Sequence, residues 1–302
     1  AARVFQAVGA GALVPISIAM VADIFPPERR GLPLGIMGAS AEAGGVIGPL
    51  WGGLIVRYLH WSWVFWINIP LGLMVLVPLM ALVASSPRFP ASVDYLGGVL
   101  IAVALSTLTL GLARVDTPDL LLGVYVASAI ASLALFILRQ KRADDPLLPL
   151  SMFRSRPFSA ANMTHLLIGA ALIIGMVTVP LMANTVLGQT PLQGGLMLMR
   201  MTVAIPIGAV LGGLACQRYD YRYPAVVGLA LAAVGFGFMS RWGLDIADPA
   251  MGAHLAVSGL GFGLLIAPIA LVATNAVETS LRGAAAALIT AMRILGMTLG
   301  LA

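Results

Sequence analysis

The sequence predicts an all-α protein that crosses a membrane many times, and three observations carry that reading. The 302 residues are 60% hydrophobic and only 10% charged, where soluble domains run near 45–50% and about 25%. The apolar residues gather in runs close to the ~20 residues that span a bilayer as a helix. Those runs hold many of the 34 glycines and 19 prolines, as expected where helices pack in lipid through small residues and tolerate kinks. A membrane-spanning barrel would show short alternating segments instead.

Ten runs follow in order: 2–22, 32–56, 63–83, 95–113, 119–138, 158–182, 192–216, 223–242, 251–275 and 284–302. Arg29 and Arg30 separate the first from the second, Arg57 closes the second, and Arg88 follows the third. Asp94 opens the fourth as a helix N-cap, and Arg114 closes it. The fifth ends in Arg139, Lys141 and Arg142, and the sixth begins beyond Arg154 and Arg156. Arg218 and Arg222 lie between the seventh and eighth, Arg241 after the eighth, and Arg282 before the tenth.

Counted over alternate loops, eleven basic residues fall on one side and three, Arg57, Arg114 and Arg241, on the other. The basic-rich side is cytoplasmic by the positive-inside rule, which predicts a multi-pass protein of the inner (plasma) membrane. The excess of 17 Lys+Arg over 12 Asp+Glu therefore reflects loop topology and does not suggest a nucleic-acid partner. Lys141 follows Gln140, so the chain has no Gly-Lys phosphate-cradling loop. A single cysteine, Cys216, and three scattered histidines, His60, His165 and His254, exclude a disulfide framework and give no metal cluster. No nucleophile–base grouping appears, so an enzyme is not expected, nor is any cofactor.

The longest polar connection, Arg139 to Pro157, marks a boundary between bundles. Placing residue n on n+252 superposes an internal repeat. Gly9, Gly11 and Leu13 meet Gly261, Gly263 and Leu265; Asp23 meets Asn275; Arg30-Gly31 meets Arg282-Gly283; Gly44 and Gly48 meet Gly296 and Gly300. Chance matching in a glycine-rich chain is the alternative. A true parallel repeat predicts two pseudo-symmetric helix bundles about an axis along the membrane normal.

The stretches RVFQAVGAGALVP (Arg3 to Pro15), ADIFPPERRG (Ala22 to Gly31), GGVIGPLWGG (Gly44 to Gly53) and WSWVFWINIPLG (Trp61 to Gly72) together resemble helices 4 to 6 of the major facilitator superfamily, specifically its 14-helix drug:proton antiporter family. TPLQGG, GLGFG and RILGMTLGLA resemble later helices of the same family. Gly44, Gly48, Pro49, Gly52 and Gly53 are similar to its antiporter motif. On this likeness the ten runs are helices 4 to 13, with helices 1–3 and 14 absent from a piece truncated at both ends. The expected division is 1–83 as the N-terminal bundle helices, 84–157 as two linker helices and a cytoplasmic loop, and 158–302 as the C-terminal bundle helices. Apart from the resemblance, Pro49 removes a backbone hydrogen bond and kinks its helix, and glycines four apart admit a close neighbour.

Glu42 is the only acid deep within a run, eleven residues past Gly31, roughly 16 Å at 1.5 Å per residue. Arg293 lies eleven residues past Arg282, also roughly 16 Å from the cytoplasm. Arg200, nine residues past Pro191, is roughly 13 Å from the outside. In a core about 30 Å thick all three share one depth, where an unpaired charge costs at least about 2.5–3.5 kcal/mol. Glu42–Arg200 is the preferred contact and Glu42–Arg293 the second. Two readings remain: a proton-exchanging acid whose pairing breaks as the halves rock, or a static ion pair that fixes helix register.

Arg3 and Gln6 match the family's Arg-x-x-Gln motif, which implies a proton-transfer role for Arg3; its position near the outer interface equally suits a snorkelling anchor. Asp23, Glu28, Arg29 and Arg30 resemble the family's cytoplasmic gate charges, which engage a basic loop between helices 2 and 3; helix capping explains them as well. Asn162, His165, Asn184 and Gln189 are candidate cavity residues, although His165 fits equally as packing.

The resemblance implies a proton-coupled secondary transporter that exports lipophilic drugs or similar compounds by alternating access, its partners being a lipophilic small molecule, protons and membrane lipids. A lipid exporter of the same fold is the second reading. A non-transporting membrane sensor or scaffold is the third, opposed by the cost of keeping Glu42, Arg200 and Arg293 in the hydrocarbon.

Overall fold

A computed structural model describes residues 2–82, 94–116, 119–143, 145–243 and 246–301, and among these residues it contains helices and no strand. The helices are α1 (Ala2–Ile24), α2 (Gly31–Tyr58), α3 (Trp63–Trp66), α4 (Asn68–Leu82), α5 (Tyr95–Leu112), α6 (Leu120–Arg142), α7 (Arg156–Thr185), α8 (Pro191–Arg218), α9 (Arg222–Met239), α10 (Asp248–Asn275) and α11 (Arg282–Leu301), joined in part by short 3₁₀ turns. Nine helical stretches among the described residues are long and apolar enough to cross a membrane. The 28-residue α2 also exceeds the ~20 needed. The protein is thus a multi-pass helical membrane protein.

The sequence-predicted runs match these helices within a few residues, with one difference. The third run is two helices, α3 and α4, meeting at Ile67. Pro70 has no N–H to offer the carbonyl of Trp66, and the Asn68 side chain donates instead to Val64 O at 2.8 Å, a local bond that competes with the regular ladder.

Helix starts follow local chemistry. Asp94 caps α5 by accepting from Gly97 N and Asp119 caps α6 by accepting from Leu122 N, both at 2.9 Å. Thr190 and Gln193 form a reciprocal capping box on α8. Before it, Gly188 takes a left-handed φ of 63°, which lets Gln189 N reach back to Ala183 O at 2.9 Å. Pro15, Pro78, Pro180, Pro206 and Pro268 all lie within helices, a pattern lipid-embedded helices tolerate.

Helices α7 to α11 form the best-buried part, with α10 at its centre against α8 and α9 and α11 against α7. Leu172, Met201, Leu255, Leu265 and Ile289 are fully buried within it. In lipid, such burial gains close packing rather than escape from water, so backbone proximity decides which helices meet. A Cβ at Gly296 would collide with the Leu166 carbonyl, bringing α11 directly onto α7.

The N-terminal helices dock onto this set, α1 along α11 and α2 along α8 and α10. The α2–α8 crossing also rests on glycine. A Cβ at Gly35 would lie 2.5 Å from Ala209 O, and one at Gly213 2.7 Å from Gly31 O. α5 and α6 form a hairpin packed chiefly on itself. Asp94 holds its cytoplasmic end by also accepting from Gln140 Nε2 at 3.0 Å and Arg139 Nε at 3.2 Å, and Gln140 Oε1 accepts from Leu148 N at 2.9 Å.

Candidate functional site

Two helices that start at the cytoplasmic side with the same spacing bring the intramembrane charges together. Arg293 of α11 donates from Nη1 to Glu42 Oε1 of α2 at 2.5 Å, and both side chains are largely covered, 22% and 19% exposed. The preferred sequence expectation, Glu42–Arg200, is corrected. Arg200 donates to Asp248 Oδ2 at 2.8 Å and to the Asp248 carbonyl at 3.0 Å. Its long side chain turns outward to the first turn of α10, where Gly252 leaves room: a Cβ there would meet Nη1 at 3.1 Å. Arg200 therefore belongs to the outer end of the C-terminal helices.

The Glu42–Arg293 pair borders a cavity of about 60 Å³ lined also by Val14, Met37, His165 and Thr290. It lies between helices α1 and α2 on one side and α7, α10 and α11 on the other. His165 Nδ1 is 2.7 Å from the Ile289 carbonyl; a carbonyl only accepts, so Nδ1 carries the proton and a neutral ring keeps Nε2 as an acceptor. Arg293 Nε is buried without a hydrogen-bond partner among the described residues. A carboxylate, a guanidinium and an imidazole thus line one small cavity between the helices. Among the described residues no group of His, Cys, Asp and Glu has metal-site geometry.

At the cytoplasmic end the two repeat-related loops exchange bonds. Arg282 donates to Asp23 Oδ1 at 2.9 Å and to Ala22 O at 3.1 Å. Arg30 donates to Asn275 Oδ1 and, from Nε, to Phe25 O at 2.9 Å. Asp23 and Asn275 are 252 residues apart, as are Arg30 and Arg282, so each loop's arginine reaches the other's equivalent residue. Burial first, and then the nearby Arg282 guanidinium, lowers the pKa of the buried Arg30 below the ordinary arginine range. Asp23 and Arg30 thus find partners within the described chain, in Arg282 and Asn275. The repeat spacing carried the signal for Asn275 and Arg282; nothing in the sequence singled out Asp248.

The remaining candidates are dispersed. Asn162 is buried and donates to Phe158 O at 2.9 Å within its own helix, its Oδ1 lacking a partner among the described residues. Asn184 is exposed near the outer end of α7, beside Gly194 of α8. Gln6 is exposed on α1, and Arg29 is exposed in the loop before α2. Gly44 and Gly48 have open space where a Cβ would point, so among the described residues no helix uses their close-approach surface. The side chains of Arg3 and Pro49, and the positions Gly52 and Gly53 as packing surfaces, lie outside the described residues.

Long apolar helices, with paired charges held between them, define the class of protein as a multi-pass helical membrane protein. The model of the Major Facilitator Superfamily matches residues 1–301, and the chain belongs to that superfamily, whose members are transporters and not enzymes. It is 37% identical over 99% of its length to a triacylglyceride transporter of Mycobacteroides abscessus, covering 62% of that protein. It is 35% identical over 99% of its length to one of Mycolicibacterium smegmatis, covering 57%, and 36% identical over its full length to one of Mycobacterium tuberculosis, covering 62%. The chain therefore spans about three fifths of the length of these relatives.

Proposed function

We propose that this chain is the transport core of a secondary exporter that moves a lipid of the triacylglyceride class out of the cytoplasmic leaflet of the plasma membrane by alternating access. Residues 1–83 act as the N-terminal bundle and 158–302 as the C-terminal bundle, with 84–157 between them. The observation that carries the reading is the Glu42–Arg293 pair, which ties α2 to α11 at mid-membrane depth. Opening the halves separates these charges, and in a low-dielectric cavity a carboxylate that loses its guanidinium takes up a proton. Closing them expels it. The pair is then both the latch and the point where proton flow meets the conformational cycle.

The likeness to triacylglyceride transporters supports a neutral lipid as substrate, and the apolar lining beside Glu42, with Val14, Ile18, Met37 and Ile266, suits a molecule with few polar groups. The antiporter-like Gly44–Gly48 spacing supports the second reading, export of a smaller lipophilic drug against protons. Proteoliposomes of the whole protein loaded with a labelled triacylglyceride or a lipophilic dye, with and without an imposed pH gradient, test both. Gradient-dependent movement of the triacylglyceride is expected; movement of the dye alone selects the drug reading, and movement of neither rejects both.

A further inference from the structure

His165 borders the Glu42 cavity and has no part in the cycle proposed for the Glu42–Arg293 pair. It lies nine residues past Arg156, the first residue of α7, roughly 14 Å at 1.5 Å per residue, close to the depth of Arg293. It lines the cavity of about 60 Å³ together with Glu42, Thr290 and Arg293. His165 and Arg293 also line a smaller space of about 10 Å³ whose other walls, among them Leu172, Ile205 and Phe262, are apolar. That space has room for no more than about one water.

The two residues are kept together by their helices. α7 and α11 meet backbone to backbone: a Cβ at Gly169 would collide with the Arg293 carbonyl, one at Gly296 with the Leu166 carbonyl, and one at Gly300 would lie 2.6 Å from Ala170 O. The His165 ring is fixed as well, because its Nδ1–H donates at 2.7 Å to the carbonyl of Ile289, one turn before Arg293. Glu42 belongs to α2, on the far side of the cavity. Movement that separates α2 from α11 therefore carries Glu42 away from Arg293 and leaves His165 beside it.

That difference decides where the arginine charge goes. The guanidinium has donors only and keeps its charge, so without its carboxylate it needs another acceptor to be tolerable in hydrocarbon. Arg293 Nε is already buried without a partner among the described residues. With the proton on Nδ1, His165 Nε2 presents a lone pair. The Thr290 hydroxyl, a further acceptor at the cavity, is held in a bond to the Ala286 carbonyl at 2.8 Å, and its oxygen is less basic than an imidazole nitrogen.

We propose that His165 is a positioning residue of the coupling site: its Nε2 accepts the Arg293 guanidinium when Glu42 is released. The arginine passes from a charged partner on α2 to a neutral one on α7, and the imidazole itself neither takes nor gives a proton. The inference rests on the reading of Glu42–Arg293 as a pair that opens.

The test is nitrogen-15 NMR of the whole protein labelled at histidine, the His165 signals being those that vanish in His165→Phe. Wild type is expected to show a neutral ring with its proton on Nδ1. Glu42→Leu removes the carboxylate, and the His165 Nε2 signal is expected to move upfield, as an imidazole nitrogen does on accepting a hydrogen bond, and to return in the Glu42→Leu/Arg293→Leu double variant. A charged ring or a proton on Nε2 in wild type would overturn the assignment whether or not any variant folds, and so would an Nε2 signal that stays in place in folded Glu42→Leu. Unfolding in detergent gives a second reading. His165→Phe is expected to lower the folding constant about tenfold more in the Glu42→Leu background than in wild type, the size of one hydrogen bond to a charged group. His165→Gln, which keeps a neutral acceptor, is expected to recover most of that loss. Equal losses in both backgrounds would reduce His165 to packing and overturn the assignment. Neither reading depends on flux: labelled triacylglyceride that does not move while the Nε2 signal shifts rejects the transport reading alone, and triacylglyceride that moves while the signal stays rejects this inference alone.

Discussion

Arg293 and Glu42, 251 residues apart in sequence, meet at 2.5 Å in the membrane interior, and each is the charge that makes the other tolerable there. Removing one partner of such a pair leaves the other uncompensated, at about 2.5–3.5 kcal/mol. Glu42→Gln and Arg293→Gln are each expected to destabilise the folded protein by about that amount, and the double variant by less than the sum. A double-mutant cycle on unfolding in detergent checks this, with a coupling of ~0.5–3 kcal/mol expected for groups in contact; additive losses would show that the two do not act as a pair.

The cytoplasmic exchange, Arg282 to Asp23 and Arg30 to Asn275, holds the two repeat-related loops together. Cys216, the only cysteine, reports on it because its Cβ would lie 2.7 Å from a Cβ at Gly31, at the α2–α8 crossing. Replacing Asp23 by Ala removes the side-chain bond from Arg282, worth up to about 1 kcal/mol. We expect maleimide labelling of Cys216 to accelerate by up to about fivefold. An unchanged rate would mean that the loops do not hold this crossing shut.

Arg200 is engaged with Asp248 and the outer end of α10. Arg200→Gln is therefore expected to leave the pH dependence of flux at the wild-type value while Arg293→Gln changes it. A shift with Arg200→Gln as large as that with Arg293→Gln would return Arg200 to the coupling site.

Asp94 anchors the α5–α6 hairpin. Its backbone bond from Gly97, followed by the bonds from Gln140 and Arg139, lowers its pKa below the usual carboxylate value of about 3.8. A lowered folded-state pKa contributes stability that is present above the unfolded value and lost as pH falls through the folded one. Asp94→Asn is thus expected to unfold at lower temperature than wild type at pH 7, with the difference shrinking below about pH 4. Thermal unfolding at pH 7, 5 and 3 measures it, and a gap that does not change with pH would contradict the assignment.

The spans were legible because helix length in lipid is set by the bilayer. The repeat was also legible, down to the residues that exchange across it: Asp23 with Asn275 and Arg30 with Arg282 at one offset. The partner of Glu42 was not. Depth along a helix follows from residue counting, but which face a residue presents, and whether a long side chain turns inward or outward, depends on neighbours. Arg200 and Arg293 sit at similar depth on paper, yet Gly252 and Asp248 draw the first outward. The Ile67 break in the third run depends on one proline and one asparagine that apolar periodicity does not weigh.

The proposed role of the Glu42–Arg293 pair is to couple proton movement to lipid export. The most direct measurement is movement of a labelled triacylglyceride in proteoliposomes of the whole protein across a range of imposed pH gradients, comparing wild type with folded Glu42→Gln. Gradient-dependent movement is expected in wild type, with a rate in Glu42→Gln that no longer responds to the gradient; a folded Glu42→Gln protein that responds to the gradient as wild type does would contradict that role.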